Sequence, residues 1–458
     1  MRVHFIAIGG AAMHNLAIAL HKKGFQVTGS DDEIFEPSKG RLAQHGLLPD
    51  TEGWNPAKIT NELDAVILGM HARQDNPELQ KALEIGVKVY SYPEYLYEAT
   101  KEKKRVVIGG SHGKTTITSM IMHVLNHQKM AFDYMVGAQI EGFDTMVSLT
   151  NEAPIAIFEG DEYLTSPIDL RPKFHLYKPH IALVSGIAWD HINVFPTWEN
   201  YIEQFSIFAH MVAPGGSFIY YDGDEELHKI AKTLSKEIET VNYKGVANTI
   251  KNDKAVLLLK DGVELAVPFF GQHNMQNLDG ARLVCNRLGV SDDAFFDAIK
   301  TFKGASKRLQ ILQQGDNSTI FLDFAHSPSK LKATTKAVKE QFPERELVAC
   351  MELHTFSSLK REFLPHYKGS MAMADKAYVY FNPEVIKHKK LDPITAEEVK
   401  EAFGGDNVTV FTNSLELQQL LRGEKWYKRT LLLMSSGNFD GIDFKNFSKD
   451  LIVGLSCM

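Results

Sequence analysis

Val106-Val107-Ile108-Gly109-Gly110-Ser111-His112-Gly113-Lys114-Thr115-Thr116 is the stretch that decides how the rest of this chain reads. A short apolar run ends on glycines, Lys-Thr follows, and Ile117 to Leu125 continues at helical spacing. Strand, glycine turn and helix together make a phosphate-binding loop. Glycines let backbone N–H groups close on phosphate oxygens, and the helix N-terminus adds a favourable dipole. In this reading Gly110, Ser111, His112, Gly113 and Thr116 surround the phosphates of ATP. Lys114 reaches the β- and γ-phosphates, and the Thr115 hydroxyl ligates Mg²⁺. The usual glycine five residues before Gly113 is replaced by Ile108, and a structural turn that happens to precede Lys-Thr is the alternative.

Such a loop needs a metal-binding carboxylate at the end of a neighbouring strand. Ile155-Ala156-Ile157-Phe158 has the composition of a buried strand, and Glu159-Gly160-Asp161-Glu162 follows at once. Glu159 is therefore the expected metal ligand, against the alternative of a solvated acidic loop. A third apolar run, Ile181 to Ser185, leads to Trp189-Asp190-His191, which places His191 for a second Mg²⁺ or for a phosphate. Asn274 and Asn277 lie three apart at the start of a helix and share one face. They either contact the nucleotide or cap the helix.

Working outward, the N-terminus reads as a βαβ unit. The strand Val3 to Ile8 runs into Gly9-Gly10-Ala11-Ala12-Met13 and a helix, and a second strand ends at Ser30-Asp31. Another strand, 65–68, ends at Gly69-Met70-His71. The charged run Lys101-Glu102-Lys103-Lys104-Arg105 reads as a linker, giving a first domain of 1–98. The second domain, 99–304, carries strands at 106–109, 155–158 and 181–185, a β-rich portion at 217–270 and a helical piece at 274–303. The third, 305–458, alternates strands at 318–322, 347–351, 376–381, 408–411 and 430–434 with helices. This alternation implies an α/β protein with mostly parallel sheets covered by helices.

Composition agrees with several soluble domains: 458 residues, 44% hydrophobic and 23% charged. A net charge of −7 without a basic block argues against nucleic acid as a partner. The three cysteines, Cys285, Cys350 and Cys457, show no metal or disulfide spacing and read as reduced thiols of a cytoplasmic protein. The opening apolar run is too short for a signal peptide and reads as a buried first strand, and no membrane span is expected.

The order of the motifs G-S-H-G-K-T-T, E-G-D-E, D-H, H-N-x-x-N, K-R-L and D-F-A-H-S-P resembles the Mur ligases over the whole chain. These enzymes build the peptide stem of peptidoglycan. The resemblance implies three domains: a Rossmann-like N-terminal domain for a UDP-sugar, a central P-loop ATPase domain, and a Rossmann-like C-terminal domain for the incoming amine. It implies ATP and Mg²⁺, attack of the substrate carboxylate on the γ-phosphate, and displacement of phosphate by the amine. Carried over position by position, Lys114, Glu159, His191, Arg308 and Asp323 form the catalytic set, with Thr115, Glu159 and His191 on metal. Asn274, Asn277, Arg308, Asp323 and His326 join the ATP site. Gly9, Gly10, Ala11, Ala12, Met13, Ser30, Asp31 and His71 line the UDP-sugar site.

There is no lysine between Lys178 and Lys229, where several Mur ligases carry a carbamylated one. That resembles the branch adding L-alanine to UDP-N-acetylmuramate and the related recycling branch, the murein peptide ligases. Four stretches, including 352–359 and 434–442, look more like the recycling branch, which joins L-Ala-γ-D-Glu-meso-diaminopimelate to UDP-N-acetylmuramate. The expectation is therefore the tripeptide ligase, with His354, Ser435, Ser436 and Gly437 as peptide-binding groups and the L-alanine ligase as the alternative. A binding protein that lost catalysis would be expected to lack Lys114 or Glu159. A dinucleotide oxidoreductase would need G-x-G-x-x-G at residue 9, and that motif is absent.

Overall fold

The computed structural model describes residues 1–189 and 194–453. The N-terminal sheet is wholly parallel, in the order Gln26–Ser30, Arg2–Ile6, Ala65–Leu68, Val89–Ser91. Its inner strands are buried on both faces, which is why they read as continuous apolar runs. The helices beside it start on strong caps. Asn76 accepts from the N–H groups of Glu78 and Leu79, and Ser91 forms a capping box with Glu94. The first strand stops at Ile6 rather than Ile8. Ala7 turns with φ +67°, and Ala7 and Ile8 both donate to the Ser30 carbonyl.

The central sheet has seven strands, in the order Glu239–Tyr243, Ser217–Tyr221, Ile181–Val184, Lys104–Gly109, Ile155–Glu159, Phe132–Met135, Val147–Ser148. Only the last pairs antiparallel. The strand leading into the glycine loop is thus flanked by the two strands that end at Glu159 and at Val184. The β-rich expectation for 217–270 divides in two. Ser217–Tyr221 and Glu239–Tyr243 extend the parallel sheet, while 248–267 forms a separate antiparallel sheet of three strands.

The charged run at 101–105 is not solvated throughout: Lys101, Glu102 and Lys104 are exposed, but its end enters the central sheet. Strand formation begins at Lys104, and Arg105 is 6% exposed. Its guanidinium donates to the carbonyls of Tyr177, Lys178, Thr100, Lys101 and Lys103 at 2.7–3.1 Å. Five carbonyl acceptors satisfy a buried cation that would otherwise be costly to place there.

The last sheet runs Gln310–Gly315, Ser318–Asp323, Arg429–Met434, Glu346–Glu352, Lys376–Tyr380, Val408–Phe411, parallel except for its first pair. Apolar clusters around Leu347, Val379 and Leu432 on one face and Val348, Cys350 and Leu433 on the other sandwich it. Met1–Trp189, Val194–Lys244 and Asn277–Ile299 make one compact unit, and Gly245–Gln276 with the chain from Lys300 onward belongs to a second. Within the second unit, Arg345 ties the antiparallel sheet to the last domain through Asp253 at 3.0 Å.

Candidate active site

The glycine loop leaves its strand at Gly109. Gly110 takes φ +120°, and a Cβ there would lie 2.3 Å from Ser185 Oγ. Gly113 takes φ +77°, and its Cβ would meet Asn277 Oδ1 at 2.2 Å. Both positions therefore require glycine on conformational and steric grounds. Gly113 then opens the helix Lys114–His127, whose first turn has no side-chain cap. Its leading N–H groups point into the loop, the arrangement that receives an anion.

Glu159, at the end of its strand, accepts from the Thr115 hydroxyl at 2.8 Å and, through its second oxygen, from the Gly137 N–H at 2.7 Å. Lys114 Nζ donates to the Gly110 carbonyl and to Glu162 Oε2, each at 2.7 Å. Burial acts to lower the lysine's pKa, but the carboxylates of Glu162, Asp161 and Glu159 outweigh it and hold the ammonium above its usual range. Ser111 and Thr116 are buried within the same loop, and the His112 carbonyl accepts from Ser185. Asn277 packs against Gly113, whereas Asn274 donates its side-chain amide to the Phe270 carbonyl at 2.8 Å. His191 falls outside the described residues. Among the described residues no three His, Cys, Asp or Glu side chains converge as a metal cage. The hydroxyl and carboxylate oxygens of Thr115 and Glu159 nonetheless suit Mg²⁺, which takes few protein ligands and keeps phosphate and water oxygens.

A second polar site lies at the carboxyl ends of the N-terminal strands. Gly9 donates to Asp31 Oδ2 at 2.7 Å, and a Cβ at Gly9 would be 2.9 Å from that oxygen. Gly10, Ala11 and Ala12 begin the helix Ala11–Lys22, again without a side-chain cap, while Met13 turns into the core. Burial, reinforced by Asp32, raises the Asp31 carboxyl to about 6. Ser30 is fully buried and receives Lys58 Nζ at 3.2 Å. His71 is exposed in the turn after Ala65–Leu68, a turn tied to the first strand by the Gly69 N–H to the Ile6 carbonyl.

In the second unit, Asp323 accepts from the backbone N–H of Leu309 at 2.7 Å and of Ala325 at 2.8 Å. It thereby holds the Lys307-Arg308-Leu309 turn, where Lys307 and Leu309 both have positive φ. The Arg308 guanidinium lies 4.6 Å from the Phe324 ring centre, and His326 Nδ1 is 2.7 Å from the Phe324 carbonyl. At the ends of two other strands, Glu352 accepts from Ser435 Oγ and from the Phe439 N–H at 2.9 Å, with His354 Nδ1 at 3.6 Å. Gly437 donates to Ser435 Oγ at 2.6 Å, and the Ser436 hydroxyl is buried with no hydrogen-bond partner. Glu162 and Glu352 are the residues that sequence reasoning passed over. Each sits within a motif it quoted, yet nothing local marks either as buried.

Matches to known families cover most of the chain. Residues 2–104 match the Mur ligase family catalytic domain, 108–285 the Mur ligase middle domain, and 307–437 the Mur ligase glutamate ligase domain. A UDP-N-acetylmuramate--L-alanine ligase of Lactiplantibacillus plantarum is 30% identical over 387 residues, 82% of this chain and 83% of that protein. One of Lactobacillus acidophilus is 28% identical over 91% of this chain and 92% of that protein. The solved UDP-N-acetylmuramate-alanine ligase of Thermotoga maritima superposes with a TM-score of 0.72 at 19% identity, covering 100% of this chain and 99% of that one. The murein peptide ligase of Psychrobacter arcticus does so at 0.66 and 21%, with the same coverage. Phosphate loop, strand-end carboxylate and three α/β domains define an ATP-dependent, ADP-forming amide ligase. The chain belongs to the Mur ligase family, with that family's three-domain architecture.

The tripeptide expectation is overturned. Relatives at 27–30% identity along most of the chain carry the L-alanine ligase name, whereas the Psychrobacter murein peptide ligase is a likeness of fold. The structure supplies a physical reason why the 434–442 stretch misled. Ser435, Gly437 and Phe439 spend their hydrogen bonds on Glu352 and on one another, so the motif reports a turn as much as a ligand. Among the described residues no helix is long and apolar enough to cross a membrane.

Proposed function

We propose that this chain is a UDP-N-acetylmuramate–L-alanine ligase. The reading is supported above all by relatives of that name aligned over 91% of the chain and 92% of their own length. Lys114 and the loop N–H groups would hold the ATP phosphates, and Thr115 and Glu159 would hold Mg²⁺, which screens charge as the phosphoryl group moves. His191 is the proposed further ligand. Asn277, Asn274, Arg308, Asp323 and His326 would complete the nucleotide site. In the domain of residues 1–98, Gly9, Gly10, Ala11, Ala12, Ser30, Asp31 and His71 would receive the UDP-sugar, with Met13 as packing beneath. In residues 305–458, His354, Ser435, Ser436 and Gly437 would receive the amine, with 99–304 carrying the ATP site.

The sugar carboxylate oxygen bonds to the γ-phosphorus and ADP leaves. The amine nitrogen then bonds to the acyl carbon, phosphate leaves and the nitrogen loses a proton. Labelled L-alanine incubated with ATP, Mg²⁺ and UDP-N-acetylmuramate should appear in a nucleotide-sugar product, one alanine per ADP formed. ADP formed without label in that product would reject the reading.

A further inference from the structure

The Lys114–Glu162 pair is one end of a buried chain of hydrogen bonds. Ala188 N–H donates to Ser111 Oγ at 2.9 Å, Ser111 Oγ lies 2.9 Å from Tyr201 OH, and Tyr201 OH lies 3.2 Å from Glu162 Oε1. Glu162 Oε2 then meets Lys114 Nζ at 2.7 Å. The donor directions follow from chemistry. A carboxylate paired with an ammonium only accepts, so Tyr201 must donate to it. The single phenolic proton is then used, so Ser111 must donate to Tyr201, and Ser111's lone pair is what receives Ala188. Every proton in the series points toward Glu162. Tyr201 itself is fully buried, its ring fixed against Phe195, Trp198 and Phe205. It stands on the helix Trp198–His210, so this helix reaches the phosphate loop through one hydroxyl.

We propose that Tyr201 is a positioning residue for ATP binding, acting through Glu162 on Lys114. Glu162 competes with the nucleotide phosphates for the ammonium. The Tyr201 proton draws part of the carboxylate's charge and so weakens that competition. The idea rests on the nucleotide reading of the loop but not on the identity of the amine.

Equilibrium binding of a non-hydrolysable ATP analogue with Mg²⁺ to the full chain tests it, since binding is read without the amine. Tyr201→Phe keeps the ring and removes the hydroxyl. The expected result is an analogue Kd raised about tenfold, the size of one hydrogen bond to a charged group. In a Glu162→Gln background, where the competing charge is gone, adding Tyr201→Phe should leave Kd unchanged. A Lys114→Ala background makes the same discrimination if the Glu162→Gln change prevents folding. Equal Kd for Tyr201→Phe and wild type, or an equal loss in every background, would overturn the positioning role. A wild-type chain that binds no analogue would overturn the nucleotide reading along with it.

Discussion

The Thr115 hydroxyl lies 2.8 Å from Glu159 Oε1, joining the first turn of the phosphate-loop helix to the end of the adjacent strand. The Gly137 N–H fixes the other carboxylate oxygen. In the proposed function these oxygens would hold Mg²⁺. Glu159→Gln keeps the size and the acceptor facing Thr115 while removing the charge. It should raise the Mg²⁺ concentration for half-maximal turnover by at least about tenfold. A magnesium titration that superposes on wild type would remove Glu159 from the metal site.

Lys114→Ala should lower turnover by at least about a hundredfold, the scale on which one preorganised charge acts at a reacting centre. Sugar-nucleotide affinity, measured by calorimetry without ATP, should not change, because Gly9 and Asp31 belong to a different sheet. Full activity in this variant would dismiss the phosphate-loop assignment.

Gly113→Ala combines a left-handed backbone with a 2.2 Å approach to Asn277 Oδ1. Such strain costs on the order of 1–3 kcal/mol. Thermal denaturation should show a lowered Tm, and nucleotide should no longer raise it. A variant as stable and as responsive as wild type would mean that Asn277 moves freely from the loop.

The strand–loop–helix core was legible because Val106 to Ile108 and Ile155 to Phe158 are buried on both faces and therefore apolar throughout. Phe132–Met135 was missed for the opposite reason. It carries Asp133, wholly buried, whose charge is met by Lys103 at 2.5 Å and by Thr150. A pairing partner 30 residues away leaves no periodic trace. Gln310–Gly315 was missed as a half-exposed edge strand. Arg105 looked like part of a linker because two of the five carbonyls that satisfy it, those of Tyr177 and Lys178, are brought close only by folding. Glu162 was hidden in the same way, as an acidic loop residue until Lys114, 48 positions distant, comes beside it. The choice of amine was the least legible part, since the Ser435–Phe439 turn is satisfied largely by its own bonds and by Glu352.

Asp31 makes stability depend on pH. Its carboxyl is raised from 3.8 to about 6 by burial and Asp32, so the folded chain keeps a proton that the unfolded chain has already lost. Stability should fall as pH rises from about 4 to 6 and stay lower above that range. Asp31→Asn removes the charge and keeps an acceptor for Gly9. It should therefore be more stable than wild type at pH 7 by up to about 3 kcal/mol, a gap that closes below pH 4. Denaturant unfolding at pH 4 and pH 7 checks this, and a gap of equal size at both would contradict it.

The most direct test of the account is phosphate release from ATP with Mg²⁺ and UDP-N-acetylmuramate, offering L-alanine in one reaction and L-Ala-γ-D-Glu-meso-diaminopimelate in another. Release with L-alanine and none with the tripeptide is the predicted result. Release with the tripeptide alone would contradict the assignment of the amine.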